Sequence, residues 1–387
     1  MIFSSNATAY RLGISVQHQI RAYQNSMNPI RLLVDSFADK DLPNAQMGNA
    51  REIIRRLNPA EFHVSVFTVG EQDAAIAQRS NTRLIRLPSH RQTPRIFREL
   101  VFGDHDILFY AKSSPATKWY MRLPRKFKRD RVSIGTVESQ ADLRNEPSIA
   151  PEAVRLWEQT VLRCDYLFSN SLSVQKSLSA EYGLRSEIVS TGVDTLFFQP
   201  ALNRGPNLRP RVIFTGSLRP FKGPQIVLDA AARFPRADFV LAGTGPMGAE
   251  LKDRVQREHL TNVQLLGLLK ADDLRREYQN SDIFLFPSTW EGSPKVILEA
   301  AACGLPVIAR KNYEPETVID GETGYLAGDD VELYRRLEDL LQSPDLRKKF
   351  GRAGRRHAQR FDWDAITRRW EEIFLELTSR RRFRAAA

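Results

Sequence analysis

The chain has 387 residues, 42% of them hydrophobic, with a formal net charge of +11 at pH 7. That length suits two globular domains rather than one. No apolar run nears the ~20 residues that span a bilayer, and the polar stretch from Met1 to Asn28 lacks the apolar core of a signal peptide.

In chain order, residues 1–29 read as an extension and Arg31–Asp35 as the first strand. The segment Asn44 to Asn49 then forms a loop that opens a helix from Ala50 to Leu57. The first strand-to-helix loop of a doubly wound sheet lies at the carboxyl edge, where such sheets bind ligands. Met47 and Gly48 are therefore candidates, Gly48 because it lets backbone come close. Further strands are expected at His63–Val69, Arg83–Leu87, Ile107–Ala111, Val132–Thr136, Tyr166–Ser169 and Glu187–Val189. Phe197–Pro210, rich in Pro, Asn and Gly, reads as an interdomain linker, which sets a first domain at 30–196.

The second domain, 211–360, has strands at Val212–Phe214, Asp238–Leu241, Val263–Leu266, Ile283–Phe286 and Val307–Ile308. Helices are expected at Gln225–Arg233, Leu251–His259 and Leu274–Gln279. Strands alternating with helices argue for parallel sheets covered on both faces. Residues 361–387 hold a last helix, with Ile366, Trp370, Ile373, Phe374 and Leu377 on one stripe, and a basic tail. Cys164 and Cys303 sit in apolar helical contexts of different domains, so no structural disulfide is expected and a reducing cytoplasm is the simple assignment.

The densest chemistry lies in Trp290-Glu291-Gly292-Ser293-Pro294-Lys295-Val296-Ile297-Leu298-Glu299 and the residues after it to Pro306. The buried strand before it empties into a small-residue loop. Pro294 suits a first helical turn, and Cys303-Gly304 with Pro306 suits the stop. Gly292, Ser293, Pro294, Lys295 and Val296 thus frame an anion site at a helix entry, where unpaired N–H groups and the helix dipole point outward. Glu291 and Glu299 flank that site and, being anionic themselves, should face hydroxyls or a developing positive charge. A phosphorylated sugar offers all three features.

This run resembles the donor-site signature of retaining glycosyltransferases with the GT-B fold, the family called family 4 or group 1. The resemblance continues at Phe214-Thr215-Gly216-Ser217-Leu218-Arg219-Pro220-Phe221-Lys222-Gly223, at Leu241-Ala242-Gly243-Thr244-Gly245-Pro246 and at Ser190-Thr191-Gly192-Val193-Asp194. It implies an α/β chain of GT-B architecture, with two Rossmann-like doubly wound parallel-sheet domains facing a cleft. The donor would lie on the second domain and the acceptor on the first, with the last helix crossing back to the first. Gly216 takes the family's glycine position, and Arg219 and Lys222 would hold the donor diphosphate. Glu299 would accept hydrogen bonds from the nucleotide ribose, and Glu291 would lie beside the donor sugar. The segment from Leu266 to Lys270, with Leu268 and Leu269, would line the base.

The implied reaction moves a sugar from a UDP- or GDP-sugar to a glycan, lipid-linked or polysaccharide acceptor with retention of configuration. Two positions depart from the family pattern. Met47 stands where a glycine pair is usual, and Glu138 stands where a His often approaches the reacting sugar, either facing the cleft or capping its loop. Lys112, closing the strand 107–111, is a cleft candidate for an acidic acceptor group. The rivals are a sugar-nucleotide epimerase of the same architecture and a non-catalytic nucleotide-sugar-binding subunit.

No metal or redox cofactor is expected. The pairs Asp39/Asp41, Asp104/Asp106 and Asp362/Asp364 follow no buried strand suitably, and the six histidines show no ligand spacing. Basic residues cluster at Arg122–Arg131, with Trp119, Tyr120 and Phe127 interleaved, and at Arg380–Arg384. Both suit an anionic membrane surface and a cytoplasmic protein peripheral on the inner face; a solvated tail is an equal alternative for the second. No nucleic-acid-binding motif accompanies them. The sequence carries no signal for oligomeric state.

Overall fold

The computed structural model describes residues 28–40, 45–128, 131–143, 149–203 and 205–386, with the side chains of Ala45 and of residues from 380 on left aside. Most of the expected extension and the side chains of the Arg380–Arg384 tail therefore lie outside the described residues.

Seven strands form the first sheet: β1 (Ile30–Phe37), β2 (Phe62–Thr68), β3 (Thr82–Arg86), β4 (Ile107–Phe109), β5 (Val132–Val137), β6 (Tyr166–Ser169) and β7 (Glu187–Ile188). Six form the second: β8 (Arg211–Thr215), β9 (Asp238–Ala242), β10 (Val263–Gly267), β11 (Ile283–Phe286), β12 (Val307–Arg310) and β13 (Gly324–Ala327). The orders are β3-β2-β1-β4-β5-β6-β7 and β10-β9-β8-β11-β12-β13, and every strand pair is parallel. Central strands buried on both faces read as continuous apolar runs, as in Ile283-Phe284-Leu285-Phe286. Winding reverses between β1 and β4 and again between β8 and β11. Each reversal opens a crevice at the strands' carboxyl ends, and the two crevices face each other.

The last helix, Trp363–Ala386, packs on the first domain. Its Trp370 and Phe374 rings meet Phe109 of β4 edge-on at 4.8 and 4.9 Å between centroids. Edge-to-face pairs add about 0.5–1.5 kcal/mol each beyond area burial, so this helix is part of the first domain's core. Among the described residues no helix is long and apolar enough to cross a membrane. Cys164 and Cys303 are free thiols.

Three expectations change. The first helix starts at Ala45, not Ala50, so Met47 and Gly48 sit in its first turn rather than in a loop. Strand β13 carried too weak a pattern: only its two ends are buried. Arg131 is no surface cation. It is buried, and its guanidinium donates to the carbonyls of Leu100 and Val101 at 2.7 and 2.8 Å and to that of Gly103. It thereby satisfies the open carbonyl end of helix Gln92–Phe102. Arg122, Arg125 and Lys126 remain exposed beside Trp119 and Phe127, and Arg129 falls outside the described residues.

Candidate active site

On the second domain, β8 and β9 deliver two loops that close on each other backbone to backbone. A Cβ on Gly243 would stand 1.8 Å from the carbonyl oxygen of Gly216, so no side chain fits there. Beyond Gly216 the chain turns through Arg219 into a short 3-10 turn, Pro220–Lys222. Arg219 is exposed and makes no ion pair among the described residues. Lys222 bends the other way and pairs with Oε1 of Glu291, whose side chain is 9% exposed. Ser288, itself buried, donates to the same oxygen at 2.5 Å. The two residues expected on diphosphate and sugar thus neutralise each other.

Helix Lys295–Ala302 begins immediately after Pro294, whose extended backbone supplies no side-chain cap. Within its first turn the Ile297 N–H bonds back to the Pro294 carbonyl at 3.2 Å. Val296 turns inward and packs on the second domain's core. One turn on from Lys295, Glu299 accepts a hydrogen bond from the buried Tyr278 hydroxyl at 3.3 Å, and Tyr278 is itself 2.7 Å from Thr215 Oγ1. Burial raises the Glu299 carboxyl above its usual range, against the pull of Lys295 and Tyr278. At the end of β10, Gly267 takes a left-handed φ of 68°, and Leu268 follows 80% exposed with Leu269 half-buried. A large apolar side chain standing in solvent at this edge suits an aromatic ligand face.

The first domain faces these groups with hydrogen-bonded acids. Glu138, just beyond β5, accepts from the Tyr110 hydroxyl at 2.8 Å and from Asn49 Nδ2 at 2.9 Å. Burial raises its carboxyl, opposed by Tyr110, by Lys295 from the other domain and by Asn49. Lys295 thus favours the ionised forms of both Glu138 and Glu299 across the cleft. Gly48 lies opposite: a Cβ there would come 3.3 Å from Lys295 Nζ. Met47 beside it is half-exposed. Gly292 rests against the first domain, where a Cβ would stand 2.2 Å from the Glu138 carbonyl oxygen. Gly292 therefore holds the two domains in backbone contact.

At the carboxyl end of β4, Lys112 places its ammonium 4.0 Å over the Phe37 ring with no hydrogen-bond partner. Burial draws its pKa down to about 8, against the pull of Asp35 and Asp39. Asp35 accepts from the Lys112 backbone N–H and from Thr117 Oγ1, both at 2.9 Å. The acid pairs are engaged elsewhere: Asp104 and Asp106 hold Arg31, Asp39 accepts from Thr68 and Gly70, and Asp362 accepts from Thr195.

The structure thus gathers Lys222, Glu291, Gly292, Lys295, Glu138 and Gly48 across one cleft, with Glu299 one helical turn behind. Sequence reasoning missed the residues that hold them: Tyr278, Ser288, Tyr110, Asn49 and Asp35. Only Asp35, an acid inside an apolar strand, carried a local signal.

The family described as "Glycosyl transferases group 1" matches residues 197–357. A D-inositol 3-phosphate glycosyltransferase of Corynebacterium efficiens is 30% identical over 263 residues, which cover 61% of this chain and 62% of the relative. Spore coat protein SA of Bacillus subtilis is 26% identical over 351 residues, covering 81% and 90%. The match spans about three fifths of the corynebacterial relative's length. Sucrose-phosphate synthase from Thermosynechococcus elongatus superposes with a TM-score of 0.73 at 21% identity over 91% of this chain and all of that one. Anabaena HepE, solved with UDP and glucose, gives 0.69 at 17% identity over 89% and 99%. Residues 197–357 are thus similar to the group 1 glycosyl transferases, and the two parallel-sheet domains form a GT-B fold.

Proposed function

We propose that this chain transfers a sugar from a nucleoside diphosphate sugar to a hydroxyl acceptor, with retention of configuration. The observation that carries the proposal is the Lys222–Glu291 ion pair just before helix Lys295–Ala302, on the same short turn that carries an exposed Arg219 with no ion pair among the described residues. A diphosphate arriving there exchanges the Lys222–Glu291 contact for a stronger one, and Glu291 is released toward the sugar hydroxyls. Glu299 takes the ribose, and Leu268 and Leu269 cover the base.

In the step itself the bond from the anomeric carbon to phosphate breaks, and its electron pair leaves with the phosphate. The acceptor oxygen bonds the anomeric carbon from the same face and passes its proton to the departing phosphate. Negative charge collects on that phosphate, where Arg219, Lys222 and the helix N-terminus stabilise it, so no metal is required. One preorganised donor of this kind contributes about 2.7–4 kcal/mol. Glu138 faces the sugar and acceptor, and Lys112 takes an acidic group of the acceptor. The exposed Trp119 and Phe127 beside Arg122, Arg125 and Lys126 support a resting place on an anionic bilayer, for a protein working on the cytoplasmic face.

Calorimetry with UDP, GDP and ADP tests this on the wild type, Arg219→Ala, Lys222→Ala and Glu299→Gln. Selective binding of one nucleotide, weakened in all three folded variants, is expected. A folded wild type that binds none sinks the donor site. A donor epimerised without acceptor would favour an epimerase, and nucleotide binding without sugar release under any acceptor condition would favour a non-catalytic subunit.

A further inference from the structure

Three loop segments meet around the Lys222–Glu291 pair and are tied to one another through backbone groups. Asn312 Nδ2 donates to the Thr289 carbonyl at 2.5 Å, and the Thr289 N–H donates to the Phe221 carbonyl at 2.8 Å. Lys222, Glu291 and Tyr313 therefore sit on one frame, in which side chains can change partners without the backbone moving. The segment after β12 turns sharply. The Glu314 N–H bonds the Lys311 carbonyl at 3.0 Å, and Glu314 takes a left-handed φ of 44°, a conformation that costs a residue with a side chain. Beside that turn Tyr313 enters the interior, 2% exposed.

The Tyr313 hydroxyl has no hydrogen-bond partner, and a buried hydroxyl left unmatched is destabilising. The charged groups it faces are Glu291 and Arg310. Burial, then Glu291, push its pKa well above the ordinary tyrosine value, against the pull of Arg310, so the hydroxyl keeps its proton and can donate it in a hydrogen bond. Arg310 is itself buried and already paired with Asp330. Glu291 is served on one oxygen only: Oε1 takes both Lys222 and Ser288, and no donor is on Oε2 among the described residues. A carboxylate has more lone pairs than two donors use. An uncommitted donor thus faces a half-served acceptor.

We infer that Tyr313 is a positioning residue for Glu291: when Lys222 leaves the carboxylate, the Tyr313 hydroxyl takes its place as donor. A buried charge without a partner costs more than a buried hydroxyl without one, so the exchange removes the larger cost as it arises. In the transfer reaction Lys222 goes to the diphosphate, while Ser288 and Tyr313 hold Glu291 toward the sugar. That role rests on the transferase proposal; the exchange of partners does not.

The exchange can be read without any substrate, because Lys222→Ala removes the first partner outright. Denaturant melts of the wild type, Tyr313→Phe, Lys222→Ala and the double variant form a cycle. In the wild-type background Tyr313→Phe should leave the folding constant unchanged or raise it, since the hydroxyl it removes has no partner. In the Lys222→Ala background the same change should lower that constant about tenfold. Lys222→Met, which keeps the apolar stem, repeats the cycle should Lys222→Ala fail to fold. An equal cost in both backgrounds makes the tyrosine merely structural, and no cost in either leaves its hydroxyl unused by Glu291; both results overturn the inference. The second readout is calorimetry with UDP, GDP and ADP against UMP, GMP and AMP. For the nucleotide that binds, Tyr313→Phe should weaken the diphosphate about tenfold and leave the monophosphate unchanged, although Tyr313 touches neither. The expected cycle without that difference upholds the exchange and removes its role in transfer. The expected cycle with no nucleotide bound by the folded wild type upholds the exchange and overturns the transferase proposal instead.

Discussion

At the carboxyl end of β4 the first domain buries Asp35 against Lys112, and beyond β5 it clamps Glu138 between Tyr110 and Asn49. At the matching end of β11 the second domain sets Lys222 on Glu291 and leaves Arg219 exposed. Both sites occupy a topological switch point of a parallel sheet, yet one is a fixed hydrogen-bonded network and the other a set of exchangeable charges. Clamped acids suit the orientation of neutral hydroxyls, because their geometry survives ligand exchange. Exchangeable cations suit a diphosphate that arrives charged and leaves more so. In the proposed reaction the cleft would divide its work: the second domain would meet changing charge, and the first would keep position.

The largest effect that would break this contrast comes from Lys222. Lys222→Ala should lower kcat/KM for sugar transfer by about 10²–10³. It should also lower unfolding free energy by about 3 kcal/mol, because Glu291 is left buried without its partner. Adding Glu291→Gln should restore the stability but not the turnover, as denaturant melts and steady-state rates on the same samples will show. Recovery of both would reduce Lys222 to a counter-ion.

Next in size is a pH effect confined to the first domain. His105, 4% exposed, has its pKa lowered to about 3, chiefly by burial and then by Arg131. Its unfolded value is about 6.5, so its contribution to stability is present above that pH and is lost as pH falls toward the folded value. The expected slope within the window is about 1.4 kcal/mol per pH unit. His105→Gln should flatten the acid limb between about pH 6 and 4 by that slope; an unchanged limb contradicts the assignment.

Glu299→Gln should weaken nucleotide binding about tenfold, or 1.4 kcal/mol, leaving the fold intact because Tyr278 can still donate to the amide oxygen. A loss seen equally for the free base would argue that Glu299 does not read the ribose. The smallest expectation is that EDTA leaves transfer activity unchanged, since cations of the chain meet the phosphate charge. Activity lost to EDTA and restored by a divalent ion would give part of that work to a metal.

What could be seen beforehand follows the reach of each interaction. Glu291, Pro294 and Glu299 lie within nine residues of one another, so strand end, helix entry and flanking acids share one legible run. Their partners are remote: Tyr278 is 21 positions from Glu299, and Asn49 is 89 from Glu138. No local pattern announces such pairs. Met47 and Gly48 were misplaced because a glycine-containing segment read as loop. The chain instead buries Asn49, Ala50, Ile53 and Ile54 along one helical face, and that packing carries the helix back to Ala45. Arg131 was hidden by company, one basic residue in a basic run, until the open end of helix Gln92–Phe102 gave it a structural task.

The helix Trp363–Ala386 has a consequence for how the molecule is made. Trp363, Ile366, Trp370, Ile373, Phe374 and Leu377 sit in the same core as Val34, Phe62 and Phe109. A ribosome delivers the first domain's strands long before those six side chains emerge. Until then the face of β4 that receives Trp370 and Phe374 stands open to water, while the second domain can already close its own core. The first domain's core therefore stays incomplete on the ribosome until the chain past residue 377 has emerged.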